Sequence, residues 1–254
     1  MKESKVRGLI IKEAPMGDKD KRLIMLTREM GKISVIAKGA LSPKSKWGAA
    51  SQLFSYGDYV MSKGQSFYYI KEVQLIESFY ALRVNLERLA YATFMAEVAE
   101  TLILDGQENQ TLMYLLLRGL MVLCKAESGA ESLIADAFVW RALSESGFYP
   151  ELHICRQCGR SLDVLPAQLE KVTFDFALGG AVCERCKASG AGVQLTSGGL
   201  RALQYIAEVP VEKIYSFQAE KEVQKQLDEA AVGYLLHQTE RHYGSLDFIG
   251  NLRW

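Results

Sequence analysis

No stretch of this chain reaches the ~18 consecutive apolar residues of a membrane-spanning helix. The most apolar segment, Leu112 to Cys124, is interrupted by Arg118 and Gly119. The opening Met-Lys-Glu-Ser-Lys-Val-Arg holds no apolar run of the kind a secretory signal needs. A reducing cytosol and a soluble, globular protein are therefore expected. Net charge is lacking as well, with 30 Lys+Arg against 30 Asp+Glu, which by itself argues against a nucleic-acid partner.

The usual parts of catalysis are missing too. There is no Gly-x-x-x-x-Gly-Lys-Ser/Thr to cradle phosphates and no Gly-x-Ser-x-Gly to present a nucleophile. His153, His237 and His242 stand in no His-x-Glu context, so a zinc deaminase is excluded. The carboxylate pairs Asp18/Asp20 and Glu97/Glu100 lie among lysines or on a helix face, without the convergence a two-metal nuclease requires. No internal repeat or low-complexity segment is visible. The chain reads as a binding protein, not an enzyme.

Cysteine is sparse but patterned. Four of the five cysteines form two Cys-x-x-Cys pairs, Cys155/Cys158 and Cys183/Cys186. Each pair can close a knuckle around a metal, and four thiolates fill a tetrahedral shell at about 2.3 Å, leaving no position for water or substrate. One structural Zn2+ per chain is expected. Two disulfides would need an oxidising compartment, and a thioredoxin-like site needs only one such pair beside a βαβ pattern. His153, two residues before Cys155, could replace a thiolate but is not needed. Cys124 reads as a small buried hydrophobe.

The zero net charge conceals an asymmetry. Residues 1–80 hold 14 Lys+Arg against 8 Asp+Glu, net +6, and residues 81–254 hold 16 against 22, net −6. A basic binding module joined to an acidic body is implied. The basic part alternates with period two. Val6–Lys12, Leu23–Thr27, Ile33–Ala37, Tyr56–Lys63 and Phe67–Ile76 read as five strands, with Gly31 at positive φ in the turn before the third. So many short strands in so short a segment predict a small closed barrel over residues 1–80, with Ile33, Val35 and Ala37 inward and Lys32 and Lys38 outward.

Beyond Ser78 the period shifts to about 3.6. Residues 81–254 are expected to be mostly helical: a stripe from Leu82 to Leu102, then Leu112–Cys124, then Ser132–Ser146 ended by Gly147. A zinc unit at about 150–190 interrupts them with strand-like Val172–Phe176 and the turn Gly179-Gly180. Helices resume after Thr196 as N-cap and from Ala219 to Tyr243. The tail, with Phe248 and Trp254, is expected to dock on the protein.

Between the third and fourth strands lies Ala37-Lys38-Gly39-Ala40-Leu41-Ser42-Pro43-Lys44-Ser45-Lys46-Trp47-Gly48. Lys38, Lys44 and Lys46 can neutralise phosphates and the hydroxyls can bond them, while an exposed Trp47 can stack on an unpaired base for about 1–3 kcal/mol. Lys19, Lys21 and Arg22 form a second cluster, partly cancelled by Asp18 and Asp20. The same residues also suit a solvated loop with Trp47 capping the barrel. An RNA-binding or ribosome-associated barrel, and a protein adaptor whose zinc unit and helices are the interface, both remain open.

An ordered set of segments adds a family resemblance. It runs through Gly8-Leu9-Ile10-Ile11-Lys12, Gly17-Asp18-Lys19-Asp20-Lys21-Arg22-Leu23-Ile24-Met25-Leu26-Thr27, Gly31-Lys32-Ile33-Ser34-Val35-Ile36-Ala37-Lys38-Gly39-Ala40, Lys44-Ser45 and Leu53-Phe54. It continues through Gly147-Phe148-Tyr149-Pro150-Glu151-Leu152, Cys155-x-x-Cys158-Gly159, Phe174, Gly179-Gly180 and Cys183-x-x-Cys186. Together these resemble the RecO family of bacterial recombination mediator proteins. Asp18 departs from the glutamate more usual there, and some members lack the four cysteines, so zinc would support the fold rather than carry the activity.

The resemblance implies an N-terminal oligonucleotide-binding (OB) barrel, a helical body and a zinc knuckle. It implies binding of single- and double-stranded DNA, annealing of complementary strands, and assistance with RecR in placing RecA on DNA coated by single-stranded-DNA-binding protein, in the cytoplasm at the nucleoid. By resemblance, Lys38, Lys44 and Lys46 sit where the family presents its basic DNA-binding loop, with Lys32, Lys21 and Arg22 on the adjoining face.

Overall fold

The computed structural model describes residues 3–104, 108–163, 171–186 and 190–252. The chain divides into two compact units, Met1–Cys124 and Lys125–Trp254. Each is built around its own core.

In the first unit, β1 (Glu3–Met16), β2 (Asp20–Thr27), β3 (Gly31–Ala37), β4 (Tyr56–Lys63) and β5 (Tyr68–Glu77) close into a barrel in the order β1-β2-β3-β5-β4. Every pairing is antiparallel except β3 with β5, which meet in parallel at Val35↔Tyr68 and Ile36↔Tyr69. Closure removes the open edges that so small a sheet would otherwise expose. Alternation sends Ile33, Val35 and Ala37 inward against Val6, Ile10, Leu23, Met25, Tyr59, Met61 and Ile70. The β2–β3 hairpin turns through Gly31 at φ 61°, where a side chain would be strained. Thr27 locks this turn: its Oγ1 donates to Gly31 O (2.9 Å) and accepts from Met30 N (3.0 Å).

The same unit contains α1 (Tyr80–Arg83), α2 (Leu86–Leu102) and α3 (Gln110–Leu123). Asn85 and Asn109 cap the two long helices by accepting from Arg88 N and Leu112 N. Cys124, expected to be buried at the end of the last of these helices, caps that end but is only half-buried.

In the second unit, α4 (Glu131–Glu145) is followed by a three-stranded sheet of order β7-β6-β8, formed by β6 (Val172–Asp175), β7 (Gly180–Cys183) and β8 (Gly192–Leu195). Then come α5 (Ser197–Glu208), α6 (Lys221–Thr239) and α7 (Gly244–Leu252). Thr196 caps α5 as its sequence context predicts, accepting from Gly199 N at 3.2 Å. The helix expected to run on to Tyr243 stops at Thr239, because Glu240 adopts the left-handed conformation (φ 48°) and its N–H closes onto Leu236 O. The tail forms α7, which buries Ile249 while Phe248 stays exposed; Trp254 lies outside the described residues. Residues 164–170 and 187–189 of the expected zinc unit also lie outside them.

Trp140, Phe174 and Tyr234 form the aromatic centre of this unit. Phe174 meets Trp140 and Tyr234 edge-on, each at 5.0 Å between centroids, and Trp140 Nε1 donates to Leu203 O at 3.1 Å. Arg141 Nη1 reaches Ile206, Ala207 and Val209 carbonyls at the end of α5, satisfying oxygens that a helix end leaves orphaned. Among the described residues no helix is long and apolar enough to cross a membrane.

Candidate nucleic-acid interface and metal centre

The β3–β4 connection begins where β2 and β3 pair Lys21 with Ala37, so Lys38 emerges beside the start of β2. Successive turns carry the loop forward, through Ala40 N to Ala37 O, Ser42 N to Gly39 O and Ser45 N to Ser42 O. Two bonds tie it to the β1–β2 hairpin: Gly39 N donates to Asp20 Oδ1 (2.7 Å) and Leu41 N to Lys19 O (2.9 Å). Asp20 thus fixes the loop as well as lowering the local charge.

Trp47 corrects one expectation. It is not an exposed stacking platform but 5% exposed, packed in the barrel core, with Nε1 donating to Lys38 O at 2.7 Å. An indole this large lowers the free energy more by burial than by facing water, and its N–H finds the free carbonyl at the loop's start. Trp47 therefore pins the loop, and the exposed Lys44 and Lys46 project from it, with Lys46 Nζ 4.4 Å from the Trp47 ring centroid.

The remaining cations differ in how far they are committed. Lys21 is paired with Glu13 at 2.7 Å and is largely neutralised. Lys32, half-buried, donates to Glu100 O at 3.0 Å. Arg22 stacks over Phe67 (5.4 Å) and Lys38 over Tyr69 (4.9 Å). Arg22 and Lys32 share a cleft of about 380 Å³ with Ser34, Ser66 and Tyr68 on the β2–β3 face and with Glu100 of α2, whose carboxylate is paired with Lys12 at 3.8 Å. The structure thus brings Arg22 and Lys32 into one cleft and sets Lys38, Lys44 and Lys46 on the adjoining loop. The half-buried run Phe67-Tyr68-Tyr69 supplies the aromatic rings at this face. Sequence reasoning missed that role because the same three residues read equally well as the start of a strand.

In the second unit the four cysteines converge. The Sγ atoms of Cys155, Cys158, Cys183 and Cys186 all lie within 4.8 Å of one another, and Cys158 and Cys183 are 3.8 Å apart. A tetrahedron of sulfurs about 2.3 Å from a central ion has edges of about 3.8 Å, so the set has the dimensions of a four-thiolate metal site. Backbone geometry prepares it: Gly159 N returns to Cys155 O (2.9 Å), Cys186 N to Cys183 O (3.0 Å), and Cys183 N donates to Cys155 Sγ (3.4 Å). Burial resists ionisation of Cys155, yet amides of Cys183, Cys158 and Gln157 bring its thiol down to about 6. Cys186 is pushed up to about 12, foremost by its bonding with Cys158 and Cys183. Thiols this crowded cannot all ionise without a cation among them.

His153 takes no part in the cluster. Its Nδ1 bonds Asp163 Oδ1 at 2.7 Å and its Nε2 bonds Glu208, and these carboxylates, Asp163 first, raise its pKa against the opposing effect of burial.

Two family models match the chain: Recombination protein O N terminal over residues 1–79 and Recombination protein O C terminal over residues 83–247. Among curated proteins, a DNA repair protein RecO from Acetivibrio thermocellus is 32% identical over 98% of this chain and 96% of its own length. That from Symbiobacterium thermophilum is 32% identical over 98% and 97%. A third, from Alkaliphilus metalliredigens, is 29% identical over 96% and 97%.

Proposed function

Because this chain belongs to the RecO family, a family of DNA repair proteins, we propose that it binds single- and double-stranded DNA and anneals complementary strands. The observation that carries the reading is the β2–β3 face. Small OB barrels use their second and third strands, with the loops joining strands 1–2 and 4–5, to hold oligonucleotides. Here that surface combines Arg22 and Lys32 with the aromatic run at Phe67–Tyr69, and Lys38, Lys44 and Lys46 stand on the adjoining loop. Cations neutralise phosphates and release counterions, while rings stack on unpaired bases. No chemical step is required: a cationic surface lowers the repulsion between two strands held close. Residues 1–80 would be the DNA-binding domain and residues 81–254 the body that meets RecR and single-stranded-DNA-binding protein, so that RecA can be loaded. The four-cysteine cluster would hold one structural Zn2+, leaving no open coordination position.

The test is the salt dependence of oligonucleotide binding. Replacing Lys38, Lys44 and Lys46 together by alanine is expected to weaken binding alike at all sequences. It should also flatten the log–log salt slope on single strands by about 2, from about 0.7 per lost phosphate contact. An unchanged slope would remove this loop from the interface. A matched RNA competitor that displaces DNA at lower concentration would favour an RNA ligand.

A further inference from the structure

A second cleft, of about 320 Å³, opens on the first unit where β1, β4 and the turn after β2 face α3. Arg22 and Arg28 stand at opposite ends of β2, about 20 Å apart along the strand at its usual rise. The cleft therefore belongs to neither the lysine loop nor the β2–β3 face. Its volume lies at the lower end of small-ligand clefts, about 300–1,000 Å³, and suits one nucleotide-sized group.

Its lining has two parts. Met113 and Leu117 supply apolar wall beside Tyr114, a residue 44% exposed. Arg7, Arg28 and Tyr56 supply the polar rim. Arg7 is held in place by Asp58, through Nε at 2.7 Å and Nη2 at 3.0 Å, so its charge is already matched. The exposed Arg28 has no side-chain hydrogen bond or ion pair among the described residues. Burial raises the pKa of the Tyr56 hydroxyl, which keeps it a neutral donor. An exposed ring over an apolar wall, an uncommitted guanidinium and the side-chain amide of Gln110 match a base, its phosphate and a base edge in turn.

We propose that this cleft is a second single-strand subsite, seating one unpaired base against Tyr114 with its phosphate at Arg28. The inference rests on the barrel's binding nucleic acid, and it assigns the second strand of an annealing pair to a place apart from the first. One chain then holds two strands at once, and charge alone no longer has to bring them together.

The experiment titrates short oligodeoxythymidine onto the full chain at low salt while sedimentation reports strands bound per chain. Wild type is expected to bind two strands. Arg28→Ala with Tyr114→Ala should bind one, with the remaining affinity unchanged within about twofold, and should anneal about tenfold slower or worse, the scale of one lost stacked base. Tyr114→Phe, which keeps the ring, should behave as wild type. A bromodeoxyuridine oligonucleotide should photocrosslink to Tyr114. Saturation of wild type at a single strand, or wild-type annealing by the double variant, overturns the proposal. Failure of the loop reading is seen separately, as a Lys38, Lys44 and Lys46 triple variant that binds like wild type.

Discussion

Cys183→Ser is expected to abolish metal binding by the four-cysteine cluster, as proposed for it, and to unfold the sheet around it, the largest loss from any single substitution in this chain. Cys183 is 1% exposed, closes β7 opposite Val172, and lies 3.8 Å from Cys158. A serine oxygen is a poor replacement for a thiolate ligand, and the three remaining sulfurs would keep their mutual repulsion without a full shell. Structural zinc contributes about 10–16 kcal/mol of apparent binding free energy in isolated zinc-finger peptides, so losing one ligand should cost several kcal/mol. Metal content per chain and a thermal melt check this together. Cys124→Ser, outside the cluster, should change neither. Because the ligands must be deprotonated, acidification should release the metal as well. A Cys183→Ser protein that retains one metal per chain and melts with wild type would defeat the structural assignment.

Phe174→Ala should rank next, at about 3–5 kcal/mol. Phe174 is fully buried on β6 and meets Trp140, Tyr234 and Phe176 edge-on, so truncation leaves a cavity bounded by three rings. Phe174→Leu, which fills more of the space, should cost less. Urea unfolding should show a lower midpoint at an unchanged slope. A loss below about 1 kcal/mol would mean that the site relaxes around the deletion.

How much of this was legible in the sequence follows from which interactions are local. Period-two alternation gave all five barrel strands because one face of each is buried, and Thr196 announced α5 because a cap acts over three residues. The Cys-x-x-Cys pairs found each other across the intervening chain because metal-ligand spacing is itself a pattern. What escaped was set by tertiary context. Trp47 looks exposed among lysines, and only the carbonyl of Lys38 and the barrel core beneath it decide otherwise. Lys21 looks available for phosphate until β1 places Glu13 beside it. Phe67 and Tyr69 became ring partners of Arg22 and Lys38 only once β5 closed against β3. Arg28 and Tyr114, far apart in the chain, carry no local signal linking them.

The central claim is that basic and aromatic residues of the barrel hold DNA strands for annealing. It is tested most directly by annealing two complementary oligonucleotides, without nucleotide or added metal, over a salt series. Wild type is predicted to accelerate annealing at low salt and to lose that effect as salt rises, and the Lys38, Lys44 and Lys46 triple alanine variant to give little acceleration at any salt. A wild-type protein that neither binds nor anneals DNA would contradict the account and turn attention to an adaptor role for the helical unit.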